Sequence, residues 1–119
     1  MRELARAAQA LSDETRLRIL NLIMERECCV CEIMQALKIS HTRALRNLKI
    51  LYDAGFLMMR NDGLFTLYSL NSESGCYYIH LEEAVKKSLQ CSNMAQQDRV
   101  SLNRVKSIRP LCVNDAMAG

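Results

Sequence analysis

Ser40-His41-Thr42-Arg43-Ala44-Leu45-Arg46-Asn47-Leu48-Lys49-Ile50-Leu51 is the stretch on which the fold turns. Ser40 suits a helix N-cap, because its side-chain oxygen can accept a backbone N–H that the first turn leaves over. Leu45, Leu48 and Leu51 or Tyr52 then recur at helical spacing as a buried side, and Ala54-Gly55 supplies a stop. On or near the opposite face fall His41, Thr42, Arg43, Arg46, Asn47 and Lys49. Arginine can pair bidentately with guanine and asparagine with adenine, while hydroxyls and lysine suit phosphates. A basic amphipathic helix can also be merely solvated, but this mixture of types fits a face that reads DNA. The candidate contacts are Ser40, His41, Thr42, Arg43, Arg46, Asn47 and Lys49.

The pattern changes at Phe56. Phe56-Leu57-Met58-Met59-Arg60 and Leu64-Phe65-Thr66-Leu67-Tyr68-Ser69-Leu70 flank Asn61-Asp62-Gly63, a hairpin signal. Arg60, on this wing, is placed to track a neighbouring minor groove or backbone. Upstream, residues 30–37 predict a short helix with Ile33 and Leu37 inward. Before it, Ser12 predicts an N-cap with Asp13 and Glu14 in the first turn, where the helix dipole favours acids. Leu17, Leu20, Ile23 and Met24 carry that helix to about Arg26, and residues 3–10 read as another.

Downstream, residues 74–90 predict a last long helix with Tyr77 or Tyr78, Leu81, Ala84, Val85 and Leu89 along one stripe. Residues 92–119 are polar with scattered Val100, Leu102, Val105 and Ile108, then Pro110, and stay open between a tail and an extra helix. The sum is a mainly α chain with a small β-wing, a winged helix-turn-helix. Residues 1–92 form the domain with flanking dimerisation helices, and residues 93–119 form the C-terminal tail or extra helix. The stripe Tyr77, Leu81, Val85, Leu89 is too apolar for an exposed helix of a small domain, which points to a homodimer. A two-fold pair matches a palindromic double-stranded operator.

The totals agree with one domain: 119 residues, 13.6 kDa, half of them hydrophobic. A net charge of +3 permits nucleic-acid binding without demanding it, so placement decides. The first residues have no apolar run of signal length, and nothing approaches the roughly 20 apolar residues of a membrane span. A cytoplasmic protein with no membrane association, and with reduced thiols, is the expectation. With no phosphate-cradling glycine loop, no plausible Ser/His/acid or Cys/His set, and only two histidines, neither an enzyme nor an organic cofactor is expected.

Three of the six cysteines, Cys28, Cys29 and Cys31, fall within four residues just before the reading helix and its partner. Soft thiolates select soft ions, and trivalent arsenic takes three of them in a pyramid. On a regular helix Cys28 and Cys31 share a face, while Cys29 and Cys31 point to nearly opposite sides. Gathering all three on one atom would distort the first turn. An isolated buried cysteine behaves as a small hydrophobe, which is the reading for Cys76 and Cys91. A disulfide or persulfide switch is the competing use of these sulfurs, joining Cys28 or Cys29 to Cys91 or Cys112.

Leu11-Ser12-Asp13-Glu14-Thr15-Arg16-Leu17-Arg18-Ile19-Leu20 resembles the opening helix of the ArsR/SmtB family of metal-responsive repressors. Glu27-Cys28-Cys29-Val30-Cys31-Glu32-Ile33 is similar to that family's Glu-Leu-Cys-Val-Cys-Asp-Leu box, and the likeness runs over roughly residues 4–72. It implies a homodimer that represses its own operon and leaves DNA when an ion binds. Arsenite or antimonite is the implied inducer, with cadmium- and lead-responsive relatives sharing the box. Those relatives usually add cysteines from an N-terminal arm, whereas here Cys28 is the first cysteine. The family's zinc positions on the last helix fall near Ser72, Ser74, Val85 and Ser88, which cannot supply that ligand set. Arsenite sensors with this box carry a third cysteine where this chain has Met34, a poor partner for arsenic. The third thiolate beside Cys29 and Cys31 is then Cys28, with Cys112 as the long-range alternative.

Overall fold

The structure, a computed structural model, describes residues 1–73 and 76–105, the side chains of Cys76 and Tyr77 excepted. Cys112 and the Tyr77 end of the apolar stripe therefore lie outside what is described. The chain runs α1 (Arg2–Ala10), α2 (Glu14–Glu25), β1 (Cys28–Cys29), α3 (Val30–Leu37) and α4 (His41–Asp53). It continues through β2 (Leu57–Asp62), β3 (Phe65–Leu70), α5 (Cys76–Leu89) and α6 (Asn93–Val105).

Helix α2 is the centre of the domain. Thr15 and every residue from Ile19 to Ile23 are buried, so apolar contact surrounds the helix rather than lining one stripe. Its neighbours are α3, α4, α5, α6 and β3. Its N-cap is Asp13, whose carboxylate accepts from the Arg16 backbone N–H at 3.0 Å. The sequence pointed one residue earlier, to Ser12. That hydroxyl instead donates back to the Gln9 carbonyl at 2.6 Å, closing the end of α1.

Helices α3 and α4 make the helix-turn-helix. Lys38 ends α3 in the left-handed region, at φ 57°, and the Ser40 hydroxyl accepts the Arg43 backbone N–H at 3.1 Å. The buried side of α4 is Ala44, Asn47, Leu48 and Leu51. Leu45, expected inside, is 42% exposed, and of the two alternatives Leu51 and Tyr52 it is Leu51 that turns in. The inner stripe is thus turned from the expected one, because a small alanine and a polar asparagine take inner positions while a leucine faces out.

The wing hairpin pairs Leu57 with Leu70 through Asp62 with Phe65, closing over Gly63 at φ 64°. It gains a third strand that the sequence did not announce. Residues Cys28 and Cys29 pair antiparallel with Tyr68 and Leu67, giving the order β1-β3-β2. Two residues are too few for alternation to show in a sequence. After α4 the chain reverses at Gly55, at φ 96°. The Tyr78 hydroxyl donates to the Ala54 carbonyl, and its ring meets Phe56 edge-on at 4.9 Å, so α5 is fastened to the end of α4. A Cβ on Gly55 would sit 2.6 Å from that hydroxyl oxygen, which leaves room for glycine alone.

The stretch left open between tail and helix is, through Val105, helix α6, and it belongs to the core. Ala95, Leu102 and Val105 are buried against α2 and α3. Asp98 takes a bidentate ion pair from Arg18 at 2.8 and 3.0 Å, and Asn21 donates to the Ala95 carbonyl at 3.1 Å. No packing boundary separates residues 93–105 from the rest. Leu102→Ala should therefore cost about 2–5 kcal/mol of stability. Urea denaturation at fixed protein concentration checks this, and a loss below about 0.5 kcal/mol, typical of surface sites, would return α6 to the status of a tail.

Candidate nucleic-acid interface and cysteine box

The outer face of α4 presents His41, Thr42, Arg43, Leu45, Arg46, Lys49 and Ile50, all exposed, with Ser40 exposed at the cap. Six of the seven predicted contacts on this helix thus share open surface. Asn47 does not: it is 5% exposed. Its amide donates to the Arg43 carbonyl at 2.9 Å, and its oxygen accepts from Arg16 Nη1 at 3.2 Å. The expected adenine contact is replaced by a link to α2. Arg43 is partly committed as well, since its Nη2 donates to the buried Thr15 hydroxyl at 2.7 Å. Arg46 and Lys49 are the cations that point outward from the middle of the helix.

On the wing, Arg60 forms a bidentate pair with Glu27 at 2.7 and 2.8 Å. That carboxylate raises the already high pKa of the guanidinium by hydrogen bonding and charge. Arg60 stays exposed, and Glu27 immediately precedes the cysteines, so the wing and the cysteine box touch at this pair.

The cysteines take three different backbone settings. Cys28 lies in β1 and is fully buried, its thiol donating to the Arg26 carbonyl at 3.3 Å. Cys29 ends the strand and is the N-cap of α3, while Cys31 stands inside the first helical turn. Neighbouring strand residues point to opposite faces, so Cys28 and Cys29 diverge. The helical face expected to hold Cys28 with Cys31 does not exist, because the helix begins only at Val30. Among the described residues, no three His, Cys, Asp or Glu side chains come together as a metal site. Cys28, Cys29 and Cys91 are reduced cysteines, the first two buried and the last exposed. Cys31 is disulfide-bonded, and its sulfur accepts from the Gln35 amide at 3.3 Å.

Glu32 holds this box in place, and the sequence reading missed it. The side chain is completely buried. One oxygen accepts the Cys29 backbone N–H at 3.0 Å, the other the Arg26 Nη1 at 2.8 Å. Arg26 also donates from Nη2 to the Leu102 carbonyl of α6 at 3.3 Å. A glutamate three residues after a cap is the capping-box spacing, so a local signal for Glu32 was available. The contacts of Thr15 and Arg16 with α4 join residues far apart in sequence and had no such signal.

Comparisons with known proteins agree with this geometry. The family described as "Bacterial regulatory protein, arsR family" matches residues 13–58, from the cap of α2 to the start of β2. The arsenic resistance transcriptional regulator ArsR2 of Pseudomonas putida is 34% identical over 110 residues, covering 92% of this chain and 91% of that protein. A cadmium resistance regulatory protein, the CadC homolog of Staphylococcus aureus, is 31% identical over 87 residues, or 72% of this chain and 67% of its own. Among solved structures, the homodimeric winged helix-turn-helix domain Mb0332 of Mycobacterium bovis superposes with a TM-score of 0.64 at 27% identity. That match covers 76% of this chain and 82% of that one.

Removing the buried carboxylate tests its role directly. Glu32→Ala leaves Arg26 and the Cys29 N–H without their acceptor, and should destabilise the fold by about 3–5 kcal/mol. Chemical denaturation measures it. An unchanged midpoint would show that the cysteine box is held by something else.

Proposed function

The chain belongs to the arsR family of bacterial regulatory proteins, and from that premise we propose that it is a repressor released from its operator by arsenite or antimonite bound to cysteine thiolates. It is a transcriptional repressor of that family, built as a winged helix-turn-helix and not as an enzyme. The observation that supports the inducer is the cysteine box itself, three sulfurs in four residues spanning β1 and the first turn of α3. Relatives named for arsenic and for cadmium both stand near this chain, so the thiophilic class is supported more broadly than any one ion.

Cys29 and Cys31 form the core of the proposed ligand set, with Cys28 as the third sulfur. Bringing Cys28 to the same atom requires its thiol to leave the Arg26 carbonyl and β1 to part from β3. That movement carries the first turn of α3 and the Glu27–Arg60 pair with it, and α3 packs on α4. Metalloid binding therefore has a short mechanical route to both DNA-facing elements. Cys112 remains the alternative third ligand and lies outside the described residues.

On DNA, α4 enters the major groove with His41, Thr42, Arg46 and Lys49 as contacts, Arg43 and Ser40 at the helix start, and Arg60 beside it on the wing. The protein acts as a homodimer on a palindromic operator, joined by α1 and α5. Leu4 and Ile79, 44% and 61% exposed on those helices, give the pair an apolar seam. The Mycobacterium bovis relative is titled homodimeric. Sedimentation at micromolar concentration should show a dimer; a 13.6 kDa monomer alone would remove this part of the proposal.

A second reading has its own observation. The disulfide at Cys31 would make the box a redox switch. Two thiols and one peroxide give a disulfide and two waters, which ties up the same sulfurs without an ion.

Fluorescence anisotropy on operator DNA separates these. Reduced protein should bind and be released by arsenite or antimonite, with cadmium, lead and zinc as comparison ions. Cys29→Ser and Cys31→Ser should bind operator and fail to respond, and Cys28→Ser should lose sensitivity by at least about tenfold, or 1.4 kcal/mol. Release by peroxide with no response of the reduced protein to any ion would favour the redox reading. Arg46→Ala should weaken operator binding by about 1–3 kcal/mol, and wild-type affinity there would displace α4 as the reading helix.

A further inference from the structure

Arg16 lies on the first turn of α2, away from the outward face of α4, yet it reaches two other elements. Its Nε donates to the Ala10 carbonyl at 2.6 Å and its Nη2 to the Gln9 carbonyl at 3.4 Å, both at the C-terminal end of α1. Its Nη1 donates to the Asn47 oxygen at 3.2 Å, inside the α2–α4 contact. One guanidinium thus closes the carbonyl end of α1, where no lysine or arginine occupies the last turn, and grips α4 by its buried polar residue. Next to it, Thr15 accepts from Arg43 at 2.7 Å. The first turn of α2 holds the outward helix at two consecutive residues.

We propose that Arg16 is the positioning residue of the reading helix. It sets the rotation and tilt of α4 through Asn47 and references them to the end of α1, without itself touching DNA. The proposal rests on α4 being the element that reads DNA. Three features carry it. Asn47 is buried, so it is an internal anchor and not a base contact. Its amide returns to the Arg43 carbonyl at 2.9 Å, so a shift of Asn47 shifts the helix that carries Arg46 and Lys49. A guanidinium fork can satisfy three acceptors in fixed directions, which a lysine ammonium on a flexible stem cannot reproduce. In a dimer joined partly through α1, this clasp would also tie the spacing of the two reading helices to the interface.

The test uses the full chain with Arg16→Lys, Asn47→Ala and the double variant, measured on operator and on unrelated duplex at several salt concentrations. Positioning predicts that each single change lowers operator affinity by about tenfold and leaves unrelated duplex within about twofold. The salt slope stays that of wild type, because no phosphate contact is lost. The double variant should be no weaker than the weaker single, because both changes break the same link. Three outcomes overturn it. Lysine may serve as well as arginine, the two effects may multiply, or the slope may fall by about one unit with both DNAs weakened alike, the mark of a phosphate contact. If Asn47→Ala fails to fold, the operator-to-unrelated ratio of Arg16→Lys still decides. Arg46→Ala measured alongside keeps the two levels apart. If it leaves operator binding intact, the reading helix is misassigned. If it weakens binding while Arg16→Lys does not, only the positioning role fails.

Discussion

Burial of the middle of α2 on all sides is the constraint on which the rest of this molecule depends. A stretch with no solvent face must satisfy its polar groups inside the protein, as Asn21 does on the Ala95 carbonyl, and further clasps sit at the two ends of the helix. At the start, Thr15 and Arg16 hold α4 and the end of α1. Just past its end, Arg26 meets Glu32, the cysteine box and the Leu102 carbonyl of α6. Apolar packing in between, through Ile19, Leu20, Leu22 and Ile23, makes a rigid rod of the helix. One clasp holds α4 and the other holds the cysteine box.

This arrangement gives meaning to the neighbouring charges. Paired surface charges contribute little to stability, and the Arg60–Glu27 pair is of that kind. The Arg26–Glu32 pair is different, because Glu32 has no exposure and its loss strands partners in a dry site. A carboxylate that caps the Cys29 N–H cannot ignore what happens to that cysteine. On the proposed function, ligand formation or oxidation at the box would work against this clasp, which Arg26 also ties to the Leu102 carbonyl of α6.

Much of the fold was legible because its signals are local. Ser40 as cap, Gly55 as stop and Gly63 in a hairpin each follow from backbone chemistry within a few residues, and the helices follow from apolar spacing. Readings failed where long-range contact chose between equal local options. Ser12 and Asp13 can both cap a helix, and only the pull of Gln9 on Ser12 decides. Leu45 reads as core by type, yet Ala44 and Asn47 take the inner side because α2 needs a close approach and a hydrogen-bond partner there. The cysteine box was visible as a cluster, but its strand-then-helix backbone was not, since β1 exists only through pairing with β3. The role of α6 was hidden in a polar sequence of which Ala95, Leu102 and Val105 turn inward while Met94 and Val100 stay exposed.

On the proposed function, events at the cysteine box reach α4 through the clasp at Cys29, Glu32 and Arg26. Hydrogen exchange of the reduced protein, with and without antimonite, tests it most directly. Faster exchange is expected at the Cys29 amide and the first turn of α3, together with altered protection along residues 41–53. Unchanged exchange over residues 28–32, with the response confined to α5 or α6, would contradict it.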